Sequence, residues 1–98
     1  MREVFEFTSP LWRWAARTDA WFFVTVPGGQ SDEIAAVPRP PRGFGGVKVE
    51  VTVGGSTWRT SIFPDSKAGA YVLPMKRAVL RAEGIEEGDL VAARLRLV

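Results

Sequence analysis

The sequence predicts a mainly β protein: a small closed barrel of about six strands with two short helices, one near Ser31–Val37 and one after Pro74. Three observations predict it. Apolar and polar residues alternate over short runs, most cleanly over Val47–Val53 and Leu90–Leu97, the period of a strand with one buried face. Glycine and proline clusters separate the runs at short intervals. The segments FVTVP, ending at Pro27, and YVLP, ending at Pro74, each lead through a helical stretch and a glycine-bearing loop into another strand. That shared order predicts a pseudo-two-fold barrel of two related halves, closed by the first strand and the strand holding Trp58.

In chain order, Glu3–Thr8 reads as a first strand with Phe5 and Phe7 on its buried face, ended by Ser9-Pro10. Arg17-Thr18-Asp19 reads as a polar turn. Ala20–Val26 is the most apolar run and is expected to be a central strand buried on both faces for much of its length. Pro27-Gly28-Gly29 stops it, and Ser31 is placed to cap a short helix with Asp32 and Glu33 in its first turn, ended by Pro38. Pro38 to Arg42 forms a stiff extended segment. Val47–Val53 then sets four valines on one face, and Gly54-Gly55 signals a two-residue hairpin. With that turn, Val51 opposes Trp58, Val49 opposes Thr60, Val47 opposes Ile62, and Glu50 meets Arg59 on the other face.

After the turn-rich loop Pro64–Gly69, Tyr71-Val72-Leu73 favours a strand and Pro74 suits a first helical position. Met75, Ala78, Val79 and Ala82 form the expected apolar face of that helix. Gly84 is placed as a left-handed stop with Ile85 folding back on the last turn, and Glu86-Glu87-Gly88-Asp89 makes a tight turn. In the last strand Val91, Ala93, Leu95 and Leu97 point one way, Arg94 and Arg96 the other.

The chain's 98 residues fit one domain, residues 1–98, with a modest core that needs no cross-links. Cysteine is absent, which excludes disulfides and thiolate chemistry. Histidine is absent too, which removes the commonest general base and the commonest transition-metal ligand. Asp65, Glu86, Glu87 and Asp89 read as turn formers, since no calcium-loop spacing surrounds them. Gly43-Phe44-Gly45-Gly46 lacks the ending of a phosphate loop. The expectation is a protein that is not an enzyme and takes no cofactor or metal. The net charge of +2 is mildly basic with scattered arginines, a weak pointer to nucleic acid. No apolar run approaches the roughly 18 residues that span a bilayer, and MREVFEFTSP does not read as a signal peptide. A cytoplasmic, bacterial-type protein without a membrane partner is expected, as monomer or homodimer.

Two groups of residues are candidates for binding. Arg42, Lys48, Arg59, Lys76 and Arg77 supply cations. Lys76 and Arg77 fall in the first turn of the second helix, where the macrodipole favours acids. They are either solvated or gathered with free helix N–H groups around an anion. If Lys48 and the Lys76–Arg77 turn share one barrel mouth, an anionic small molecule or a phosphate backbone fits there. Trp12, Trp14, Trp21 and Trp58 supply flat apolar surface. Trp12 and Trp14 share a face of an extended segment. They form either a lid over one end of the core, the preferred reading, or a stacking platform for a ring-shaped ligand. The function expected is non-enzymatic binding of an anionic small molecule, with a nucleic-acid-binding or protein-interaction module as the alternative.

The segment LPMKRAVLRAEGIEEGDLVAARLRL resembles the tail shared by swapped-hairpin and double-split β-barrel proteins such as AbrB-like transition-state regulators. Over nearly its full length the chain resembles the family called domain of unknown function DUF 1905. The resemblance rests on Phe5 and Phe7, Trp21-Phe22-Phe23-Val24 before Pro27, Arg42-Gly43 before Val47-Lys48-Val49, and Tyr71 through Asp89. It implies a small single-chain closed or double-split barrel with one or two helices, and it implies no activity. AbrB-like regulators are dimers that read DNA from paired halves. Here one chain carries both halves and no arginine stripe, and likeness of fold does not transfer function.

Overall fold

A computed structural model of the chain describes residues 4–16, 19–37 and 45–98. These form β1 (Val4–Ala16), β2 (Asp19–Thr25), α1 (Gly28–Ala36), β3 (Val47–Val53), β4 (Ser56–Asp65), β5 (Ala70–Met75), α2 (Arg77–Glu83) and β6 (Leu90–Leu97). The strands close one antiparallel barrel in the order β1-β2-β5-β4-β3-β6, with β6 pairing back onto β1. Neither helix is long and apolar enough to cross a membrane.

The alternating strands behave as their period requires. Val47, Val49, Val51 and Val53 are buried, as are Val91, Ala93 and Leu95, while Lys48 and Arg94 face out. The β3–β4 register is the expected one, with Val51 opposite Trp58, Val49 opposite Thr60 and Val47 opposite Ile62. Phe5, Phe7 and Leu11 of β1, Val24 of β2 and Leu73 and Met75 of β5 join the same core, and Ile34 of α1 and Val79 and Leu80 of α2 pack against it. Burial of this kind supplies about 25 cal/mol per Å² of apolar surface and is the main force holding the ring.

Three prolines sit inside strands, where Pro10 and Pro74 were expected to end a strand and to begin a helix. β1 pairs with β6 up to Pro10 and with β2 from Leu11. β4 leaves β3 at Ile62, before Pro64, and β5 leaves β4 at Val72, before Pro74. Each proline therefore lies just beyond the end of one ladder, where the N–H it lacks has no strand to meet. As a result β1 runs on through Trp12 and Trp14, and β5 runs on to Met75.

Both helices depart from expectation at their starts. α1 begins at Gly28 behind Pro27, so Ser31 lies inside the helix and does not cap it. The buried Ser31 hydroxyl instead donates to the Val26 carbonyl (3.0 Å) and accepts from the Tyr71 N–H (3.0 Å), tying the end of β2 to β5. α2 begins at Arg77 with Lys76 as an extended N-cap. Its buried residues are Val79 and Leu80; Ala78 and Ala82 face out, and Met75 is buried from β5. Gly84 ends it as expected, at φ 65° and ψ 37°, with the Ile85 N–H returning to the Leu80 carbonyl (2.9 Å). The Glu86–Asp89 turn also forms, closed by Asp89 N–H to Glu86 carbonyl (3.0 Å) and Glu86 N–H to Asp89 Oδ2 (2.8 Å).

The ring maps onto itself when β1, β2 and β3 are exchanged with β4, β5 and β6. Superposing the N-caps Pro27 and Lys76 sets Gly28 on Arg77 and Val24 on Leu73. The ladders then carry Leu11 onto Ile62, Phe7 onto Trp58 and Val51 onto Ala93. At these strand positions inward residues fall on inward residues, which is the pseudo-two-fold the repeated segment order predicts. The two hairpins differ in the length of their ladders. The β1–β2 ladder extends to Ala16 opposite Asp19, whereas the β4–β5 ladder covers only Phe63–Asp65.

Candidate functional site

The β1–β2 hairpin is an arm that overhangs the barrel. β2 pairs with β5 only from Phe22 onward, so Asp19 to Trp21 have β1 alone as a strand partner among the described residues. Trp14 and Trp21 stand directly opposite each other on the arm, 52% and 54% exposed. Trp12 and Phe23 form the next pair inward on the same face, two positions along the ladder, their rings stacked with centroids 5.0 Å apart. The Trp12 indole N–H donates to Thr25 Oγ1 (2.9 Å), which fixes that ring. The expected burial of Ala20–Val26 on both faces is thus not met: Val24 is in the core, but Trp21 is exposed and Phe22, Phe23 and Thr25 are half-buried.

The lid expected of Trp12 and Trp14 does not form. Leu11 takes the inward position, so strand alternation turns both tryptophans to the outside. Trp58 is different: it opposes Val51, faces inward and packs against the core. Its indole nitrogen is buried with no hydrogen-bond partner among the described residues.

Of the five expected cations, the four among the described residues do not converge. Arg42 lies outside the described residues. Lys48 opposes Ser61 on the outer face of β3, because Val47 and Val49 take the inward positions, so it does not line a barrel mouth. Arg59 is 3.6 Å from Glu50 on the same outer face, the expected cross-strand pair. Arg96, from β6, binds Glu50 more closely, with Nη2 and Nε at 2.9 and 3.2 Å from Oε1. The Arg96 hydrogen bonds, followed by the charges of Arg96 and Arg59, hold the Glu50 carboxyl below its ordinary value despite some desolvation. Arg94 and Glu6 form a further pair at 3.7 Å. On the outer face of β4-β3-β6-β1, Arg59, Arg94 and Arg96 are therefore each engaged by a carboxylate of a neighbouring strand. Arg96 escaped sequence reasoning because the β3–β6 pairing joins segments far apart in the chain.

Lys76 and Arg77 lie on the other side, at the start of α2. The Arg77 guanidinium sits over the Phe22 ring, 5.8 Å from its centroid. That contact offsets the poor fit between a cation and a helix start. Lys76 follows Met75, which opposes Phe22, and its backbone is still extended. By alternation it shares the outward face with Trp21. Glu83, at the far end of α2, accepts from Gly55 N–H (3.3 Å) and Ser56 Oγ (2.7 Å) and pins the β3–β4 turn.

The arrangement offers an exposed aromatic pair with Lys76 on the same outward face, while Arg77 is held over Phe22 on the other. Such a surface stacks on flat rings and attracts negative charge. No curated protein matches this chain in sequence. Residues 7–95, which span the barrel from β1 to β6, fit the family model described as "Domain of unknown function (DUF1905)", and the chain belongs to that family.

Proposed function

We propose that the domain is a non-catalytic binding module for an anionic ligand that carries a flat ring, the chemistry of a nucleotide. The side-by-side exposure of Trp14 and Trp21 on the arm carries this reading. Single surface tryptophans need no explanation, but two facing each other on an overhanging hairpin keep a large apolar area in water. Lys76 on the same outward face supplies the charge that selects an anion. Lys48 and Arg59 take no part.

Titration of the intrinsic tryptophan fluorescence with nucleoside monophosphates and short single-stranded oligonucleotides tests the proposal. Quenching is expected to saturate and to weaken for the uncharged nucleoside. Changing both tryptophans, Trp14→Ala with Trp21→Ala, removes roughly 1–3 kcal/mol of stacking per ring, and Lys76→Ala weakens the anion alone. Tighter, strongly salt-dependent binding of the oligonucleotide would make the ligand a nucleic acid strand. Absence of saturable quenching by any of these ligands overturns the proposal.

A further inference from the structure

The pseudo-two-fold relates two notches, each between a helix and the hairpin beside it. In one half the notch lies between α2 and the arm, and it is occupied from within: Arg77, the first residue of α2, lays its guanidinium over Phe22. The same superposition puts Tyr71 in the place of Phe22 and Gly28 in the place of Arg77. The second notch therefore keeps an aromatic residue but lacks the side chain that fills the first.

The space left is a groove of about 430 Å³ between α1 and the β4–β5 turn, lined among others by Ser31, Asp32, Ala35, Pro64, Asp65 and Tyr71. Two of these make the notch acidic. Asp32 stands where the other half has Arg81, and Asp65 stands where it has Trp14. Neither aspartate forms an ion pair among the described residues. Asp65 Oδ1 accepts the Lys67 N–H (3.0 Å), which fixes that carboxylate at the edge of the groove. The Ser31 hydroxyl has its proton committed to Val26 and already accepts from Tyr71. The groove thus presents two carboxylates above an apolar floor of Ala35 and Pro64 with Tyr71, open to solvent.

We infer that this groove is a second binding site, for a guanidinium or alkylammonium group on a short apolar stem. The chain itself shows the chemistry in the equivalent notch, where a guanidinium rests on an aromatic ring. In the groove the cation comes from outside and meets Asp32 and Asp65, while its stem lies along Ala35 and Pro64. A charge-assisted hydrogen bond to a carboxylate is the stronger kind, and a groove of this size takes a group as large as an arginine side chain. The site is independent of the arm and of the ligand proposed for it.

Two variants and a matched pair of probes test it. The isotope-labelled protein is titrated with butylguanidine and with the uncharged butylurea, following backbone amide shifts by NMR. Butylguanidine is expected to move the amides of Ser31–Ala35 and Asp65–Ala70 saturably, and butylurea to leave them in place. Asp32→Asn with Asp65→Asn should weaken the probe about tenfold or more, the loss of at least one charged hydrogen bond; the asparagine oxygen can still accept the Lys67 N–H. Gly28→Arg places in α1 the residue that α2 carries. A Cβ at Gly28 meets nothing within 4 Å, so the variant is expected to fold. Its own guanidinium should then occupy the groove and exclude the probe. Equal binding of both probes, shifts confined to the arm, or undiminished butylguanidine binding by folded Gly28→Arg would each overturn the inference.

Discussion

The two hairpins that flank the pseudo-two-fold occupy equivalent places and have opposite surfaces. The β1–β2 arm is long, aromatic and bordered by Lys76 and Arg77; the β4–β5 hairpin is short and bordered by Asp32 and Asp65. Their inward residues are interchangeable in kind, Leu11 for Ile62 and Val24 for Leu73. The barrel interior therefore constrains only one face of each strand. The outer face and the first residue of each helix were free to diverge, and the candidate sites are found there.

The equivalence breaks most visibly if the halves share the core unequally. Leu11→Ala and Ile62→Ala remove counterpart side chains that are 1% and 0% exposed. Each is expected to cost about 2–5 kcal/mol in urea unfolding. A cost for one that is less than half that of the other would show that one half dominates stability. Ser31→Ala comes next. Its counterpart Leu80 only packs, whereas Ser31 joins β2 to β5 through two hydrogen bonds. Removing a buried partner costs roughly 1–3 kcal/mol, and faster hydrogen exchange at the Tyr71 amide would locate the loss.

Glycines sharpen the comparison at smaller scale. Gly84→Ala forces an alanine into the left-handed cap of α2 and is expected to cost about 1 kcal/mol. Gly28→Ala, in the first turn of α1 at an ordinary φ, should be neutral or stabilise by up to about 1 kcal/mol. Thermal unfolding of both variants would read the opposite signs.

The smallest effect concerns the charged side of the ring. Glu50 is held below its ordinary value in the fold, so its contribution is present above that value and fades as pH falls through the lowered one. Glu50→Gln should leave the neutral-to-alkaline shape of the stability profile unchanged and flatten its acid limb. An unchanged acid limb would show that Arg96 and Arg59 do not stabilise the carboxylate.

What the sequence discloses is what neighbours in the chain determine. The valines of β3, the Gly54-Gly55 turn and the Gly84 stop fix register and boundaries with partners only a few residues away, and all three are as expected. Ser31 has the local signature of a helix cap, but its acceptor and donor partners include Tyr71, forty residues on in the chain. Pro10 and Pro74 read as breaks because only the closed ring shows which ladder ends beside them. The tryptophans were legible as candidates but not their direction. That depends on Leu11 entering the core, and the core exists only once all strands have met. The cations Lys48 and Arg59 were visible as charges, while their separation from Lys76 and Arg77 follows from the strand order alone.

Closure of the ring by β6 on β1 also has a kinetic meaning. Val4 pairs with Arg96, so the last ladder joins segments at opposite ends of the described chain. The β3–β4 hairpin can form early, since its strands need only a two-residue turn, whereas the closing ladder must overcome the loop entropy of nearly the whole chain. Folding on the order of milliseconds to seconds, typical of barrels rich in non-local pairing, is the expected regime. Until β6 arrives, β1 and β3 each present an open edge to other chains. During synthesis β6 is the last of these strands to emerge, so the period of greatest exposure to aggregation ends only when its final ladder residues dock.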